Sequence, residues 1–218
     1  TVPGFGRGVL TPEASLTSYL DRYLLPGQIM GGIYDRLGLY SILPTVSTVL
    51  IGSGQPCPLG CDLYVPQGWM TDPERCARAG IPETLRFREK WRIALRQIRR
   101  AVKADFAITA VVADADYGSI AAFRRQIEQL GLRYAVASRG CVTVWIAGAR
   151  RPLPVSDVAT AVPDAVWRRV TWATGTKGAL TARFAACRVR PVKSRGDRWL
   201  LCERSLATDE RKYYLLNL

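Results

Sequence analysis

The chain has 218 residues, 48% of them hydrophobic, with 31 Lys and Arg against 18 Asp and Glu and no histidine at all. That length suits one large domain or one domain with a sizeable insertion, and a formal charge of +13 with a pI near 9.9 is the footprint of a protein that meets a polyanion. The missing histidine excludes Ser-His-Asp and Cys-His catalysis and histidine-ligated zinc hydrolysis, which leaves carboxylate chemistry with a hard metal ion, and no apolar run reaches the roughly 18 residues of a membrane span.

Residues 1–55 hold several glycines and prolines and no sustained period. The pieces SYLDRYLL and YSILPTVSTVLIG predict one helix near 14–24 and one strand near 44–51 in a loop-rich segment. TDPERCARAGIPE reads as a polar loop with a short helix, stopped by Gly80 and Pro82. Phe87, Trp91, Leu95, Ile98 and Val102 then recur at three- or four-residue spacing, the apolar stripe of an amphipathic helix. Its other positions are filled by Arg88, Arg92, Arg96, Arg99, Arg100 and Lys103.

FAITAVVA follows as a short apolar strand, of the kind buried on both faces of a sheet. Ile120, Phe123, Ile127 and Leu130 predict another helix, closed by Gly131, and LRYAVAS predicts a second strand. Together they make a β-α-β unit with parallel strands and a right-handed crossover. From residue 139 on, VTVWIA, LTARFAACRVRPV and DRWLLCERSL predict strands joined by turns such as GARRPLP and TGTKG. Trp172 and Trp199 in that block read as core residues rather than base-stacking platforms.

The charge is unevenly spread. Residues 75–103 are net +8 and residues 139–198 net +9, so the acidic stretch VVADADYG lies between two basic blocks. That layout suits a cation site beside a nucleic-acid channel. Asp114 closes the first strand of the β-α-β unit, the edge at which open α/β sheets place their ligands. A carboxylate held there by a rigid sheet suits a divalent ion that activates water or a 3′-hydroxyl. Asp116, two residues on, points elsewhere.

Two further readings of this stretch stand beside the metal one. Asp114 is also what a helix N-terminus or turn uses to satisfy its backbone donors. An apolar strand running into D-x-D also resembles the nucleophile loop of haloacid-dehalogenase-type phosphatases. That motif continues with Thr or Val and opens its domain, whereas Tyr117 and Gly118 follow here at mid-chain, so it is the minor alternative. CPLGC spaces Cys57 and Cys61 without a second pair at zinc-site distance. Reduced, partly buried thiols of a cytosolic protein are favoured over a thiolate zinc site.

Taken in order, LYVPQGWMTDPERCARAGIPE, VVADADYG, GLRYAVA, TGTKG and RWLLCERSL with KYYL resemble DDE-type insertion-sequence transposases, within the group of DDE superfamily endonucleases. The resemblance covers roughly residues 57 to 216. It implies an α/β fold: a ribonuclease-H-like core (β-α-β with parallel strands) carrying a β-rich insertion and incomplete at the C-terminus. The divisions are a poorly defined segment at 1–55, part of the core at 56–138, a basic β-rich insertion at 139–203, and the start of the return to the core at 204–218.

It further implies that Asp114 is the second of three catalytic carboxylates that bind two divalent ions, Mg²⁺ or Mn²⁺, cleave DNA at insertion-sequence ends and join the 3′ ends to a target. Arg92, Arg96, Arg99, Arg100, Arg168, Arg169, Lys177 and Arg190 are the expected phosphate contacts. DNA is the expected partner, with a homodimer in the intact enzyme and a bacterial, nucleoid-associated, cytoplasmic location. The first aspartate of the pattern has no match in residues 1–55, where Asp21 and Asp35 lack the right neighbours. The final glutamate is expected beyond KYYLLNL, and Glu203 stands where the family more often has a basic residue. A truncated or frame-disrupted transposase, inactive in this form, is therefore expected, with a non-catalytic DNA-binding remnant as the alternative.

Overall fold

The computed structural model describes residues 45–51, 56–175, 178–208 and 210–218. The helix expected near 14–24 lies outside the described residues. Two compact units divide the chain, one up to Ile93 and one from Ala94 to Leu218.

In the first unit, β1 (Thr45–Leu50) and β2 (Cys57–Leu63) form an antiparallel pair with a register shift between Thr48 and Val49. β1 is the strand expected near 44–51. The pairing of CPLGCDL was not legible, because its proline and glycine mimic a turn. Two short helices follow, α1 (Gln67–Met70) and α2 (Pro73–Arg78). Asp72 starts α2 by accepting a 2.9 Å hydrogen bond from the Arg75 amide, and Pro73 occupies the first turn, where its missing N–H costs nothing. Gly80 ends the segment at φ +65°. Val65, Trp69, Ala79 and Ile81 form a small buried cluster, joined by Met70, Cys76 and Leu85.

α3 (Lys90–Lys103) is the basic amphipathic helix. Ile93, Leu95 and Ile98 are buried with Ala94, Gln97 and Ala101, while Arg92, Arg96, Arg99, Arg100 and Lys103 are exposed. Phe87 precedes the helix and Val102 is half-buried, so the stripe is centred nearer the middle of the helix than the spacing predicted.

The second unit is built on a sheet. Its strands are β3 (Ala110–Ala113), β4 (Arg133–Ser138), β5 (Thr143–Trp145), β6 (Leu153–Pro154), β7 (Arg168–Gly175), β8 (Gly178–Pro191), β9 (Arg198–Ser205) and β10 (Arg211–Leu216). Their order is β3-β4-β10-β9-β8-β5-β6, with β7 also paired to β8. β3 and β4 run parallel and the other described pairs antiparallel. The fold is thus α/β with a mixed sheet. Between β3 and β4 come a single turn, α4 (Ala115–Gly118), and α5 (Ala121–Gln129), which Gly131 closes at φ +73°. A further helix, α6 (Val155–Ala161), was not predicted. Its period is short, and it is flanked by prolines that read as turns.

Two expectations need correction. FAITAVVA is a strand only over its last four residues, and it is not buried on both faces. Val111 is buried, but Val112 is 64% exposed and β4 is the one described strand that pairs β3. A continuous apolar run does not by itself distinguish a central strand from an edge. Trp172 and Trp199 are not core residues: they are 41% and 39% exposed.

The faces of the sheet differ sharply. On β8, Ala185, Val189 and Pro191 are buried while Ala186, Arg188 and Arg190 are exposed, the period-2 signature of a sheet covered on one face. The covered face continues through Leu200, Cys202, Leu215, Val136 and Tyr134 and packs with Phe123 and Ile127 of α5. No helix of the described residues is long and apolar enough to cross a membrane.

Candidate active site and nucleic-acid interface

Asp114 stands at the carboxyl end of β3 and caps α4. Its Oδ1 accepts hydrogen bonds from the Asp116 amide at 2.9 Å and the Tyr117 amide at 3.3 Å. The turn reading of this residue is therefore part of its geometry. It leaves Oδ2 outside the cap, and the side chain is half-buried.

The turn is held from three sides. Gly118 lies against β4 so closely that a Cβ there would stand 2.0 Å from the Ala137 carbonyl oxygen and 2.8 Å from the Val136 Cβ. Only glycine allows this approach of backbone to backbone. The Arg124 guanidinium, buried on α5, donates to the Gly118 carbonyl and so satisfies the end of α4. From the end of β4, the Arg139 amide donates to Ser119 Oγ at 2.9 Å, and Arg139 Nη2 donates to Asp116 Oδ1 at 2.5 Å. Asp116 is thus paired with a cation.

Tyr117 sits between these groups, its ring 5.8 Å from that of Phe123. Burial pushes its hydroxyl up to about 12, with the Asp114 and Asp116 carboxylates adding in the same direction. It stays protonated at neutral pH. Further along, Glu128 accepts from Arg198 Nη2 at 2.7 Å and from the Tyr134 hydroxyl at 2.9 Å. This cluster ties α5 to β4 and β9 on the covered face.

The sequence pattern did not single out Arg124, Arg139 or Arg198. Arg139 was within reach, because a residue just past the second strand of a β-α-β unit lands beside the end of the first. Arg124 was not, since an arginine inside a helix reads as a solvated one until the packing is known.

The described residues do not complete the ligand set of a divalent-ion pair. Among the described residues, no three His, Cys, Asp or Glu side chains come together as metal ligands. Asp114 alone, with Asp116 tied to Arg139, does not fit a pair of hard cations that take six or more oxygens each. Cys57, Cys61 and Cys141 are exposed, Cys76 and Cys187 half-buried and Cys202 buried.

The expected phosphate contacts fall in two places. Arg92, Arg96, Arg99 and Arg100 lie exposed along α3, where Arg92 pairs with Glu89 at 2.7 Å and Arg99 donates to Gln126 of α5. Arg168 and Arg169 are exposed on β7 and Arg190 on β8. Four strand steps separate β8 from β3, about 19 Å at ordinary strand spacing, so Arg190 does not stand beside Asp114. Lys177 lies outside the described residues. Glu203 takes no part in the turn at Asp114: it accepts from the Tyr214 hydroxyl at 2.7 Å and lies 4.0 Å from Lys212.

No curated protein matches the chain. The family model for the DDE superfamily endonuclease matches residues 43–179, more than half of the sequence, and spans β1 through the turn of Asp114 and on into β8. The chain belongs to the DDE superfamily endonucleases.

Proposed function

We propose that this chain is a DDE-type transposase polypeptide, of the kind that cleaves DNA at insertion-sequence ends and joins the 3′ ends to a target, and that Asp114 is one of its catalytic carboxylates. The observation that carries this reading is the mounting of Asp114. It closes the one parallel strand pair described, its Oδ1 is anchored by two amides and its Oδ2 is left over for a ligand. Enzymes of this family use divalent metal ions, and Mg²⁺ or Mn²⁺ is the class of ion proposed for the intact enzyme. The partner oxygens would come from outside the described residues.

The division of the chain into part of a ribonuclease-H-like core, a basic β-rich insertion and a return to the core is proposed on the same footing. β9 and β10 extend the sheet directly from β4, which supports a single continuous scaffold. A homodimer and a nucleoid-associated location belong to the proposal as well.

A binding-only reading stands beside it, supported by the exposed arginines of α3, β7 and β8, which suit phosphates with or without cleavage. On that reading the polypeptide holds DNA without cutting it. The test is a supercoiled-plasmid assay with Mn²⁺, run beside a gel-shift assay, on wild type and Asp114→Ala. DNA retardation without nicking in either protein is expected. Nicking that disappears in Asp114→Ala would overturn the inactivity and keep the carboxylate's role. Equal nicking in both would remove Asp114 from the active site, and no retardation would overturn the DNA reading altogether.

A further inference from the structure

The uncovered face of the sheet carries an alternation of aromatic rings and arginines that the cleavage centre does not use. Phe184 and Arg188 lie four residues apart on β8 and therefore on one face. The Trp172 ring meets Phe184 edge-on at 5.4 Å, and the Arg188 guanidinium sits 4.7 Å over the Trp199 ring. Arg188 and Trp199 are directly opposed in the register of β8 and β9, and Phe184 is opposed to Arg168 of β7. Arg190 continues the row two residues on, exposed like Arg188. The acidic group of this face, Glu203, is already engaged by Tyr214 and Lys212.

Large rings left about two-fifths exposed on an open sheet face, as Trp172 and Trp199 are, lose hydrophobic stabilisation. Interleaved with cations, they are what an unpaired nucleotide chain requires: π-faces for bases and guanidinium groups for phosphates. Paired bases in a duplex have their faces covered by neighbours in the stack and cannot use such rings. The two ring clusters are about 13 Å apart along β8, four residues of extended strand, which is room for a few nucleotides of single strand.

We propose that this face, with Trp172 and Trp199 as stacking anchors and Arg168, Arg188 and Arg190 as phosphate contacts, binds single-stranded DNA. The inference rests on the reading of the chain as a DNA-processing protein and adds unpaired strand to its substrates.

The experiment measures fluorescence anisotropy of a labelled oligo-dT and of a duplex of equal length, together with intrinsic tryptophan emission, for wild type, Trp199→Ala, Trp172→Ala and Trp199→Phe. Circular dichroism and Tm verify the fold of each variant. Wild type should bind oligo-dT with quenching of tryptophan emission. Each alanine variant should lose about tenfold in oligo-dT affinity while duplex affinity changes little, and Trp199→Phe should recover most of the loss. Alanine variants that bind oligo-dT as tightly as wild type would overturn the proposal while leaving the DNA reading intact. So would sedimentation showing a wild-type dimer that Trp199→Ala converts to monomer, since the face would then be a protein interface. Failure to bind either DNA would overturn both.

Discussion

Arg139 reaches across from the end of β4 to Asp116 at 2.5 Å, so the second carboxylate of the D-x-D stretch is bound to a cation while the first caps the turn. Two aspartates separated by one residue thereby acquire different chemistry. Both groups of the pair are more than half exposed, and solvent screens such contacts. Arg139→Ala is therefore expected to change unfolding free energy by no more than about 1 kcal/mol in urea titration. A larger loss would mean that Arg139 is structural rather than electrostatic.

Gly118 is the least replaceable residue of the site. A methyl group there would overlap a β4 carbonyl, and backbone cannot move aside as a side-chain tip can. Gly118→Ala should destabilise the fold by about 3 kcal/mol or more, visible as a lowered urea midpoint or as insoluble protein. Ala115→Gly, in the same turn, serves as a mild comparison.

The cluster of Glu128, Arg198 and Tyr134 should behave as a unit. Its side chains are largely withdrawn from water, 25% and 15% exposed for the ion pair. Glu128→Ala leaves a guanidinium without its partner and is expected to cost about 3 kcal/mol. The double replacement Glu128→Leu with Arg198→Met should cost less than the sum of its parts, and a double-mutant cycle by chemical denaturation measures the coupling. Strict additivity would show that the two residues act independently.

Alkaline pH should weaken the fold. Burial pushes the hydroxyls of Tyr117 and Tyr134 up to about 12, from 10.0 in the unfolded chain. Their contribution is complete below pH 10, because both states are then protonated. Between pH 10 and 12 the unfolded state releases protons that the folded state keeps, so stability falls as pH rises through that window. Ultraviolet titration of tyrosinate should show a late-titrating class, and Tyr117→Phe should remove part of it.

Duplex binding should depend steeply on salt, through α3. Replacing Arg96 and Arg100 together by Gln is expected to reduce the slope of log K against log salt by about 2, one counterion for each phosphate that is no longer neutralised. An unchanged slope would place the duplex elsewhere on the surface.

The helices and strands with a strong period were legible in the sequence. α3, α5 and β4 follow from recurring apolar residues, and the parallel pairing of β3 with β4 follows from the rule for β-α-β units. The position of Asp114 came with that rule. What escaped was set by long-range pairing. RRVTWATG carries two arginines, two threonines and a glycine that disguise β7, which exists because β8 offers it a ladder. Large rings usually go to the core, which is what the sequence predicts for Trp172 and Trp199, yet register places Trp199 on the open face and a ring contact with Phe184 holds Trp172 there. The role of Arg124 was invisible for a related reason: its partner is a backbone carbonyl, which no residue type announces.

β3 is joined to the described sheet along one side only, through four paired residues with β4. Mechanically, Asp114 is the tip of a short cantilever clamped along a single edge, with the Gly118 wedge as its brace. Amide hydrogens of residues 110–113 should accordingly exchange faster than those of β9, which has neighbours on both sides, and a strand laid along the outer edge of β3 would stiffen the carboxylate without touching it.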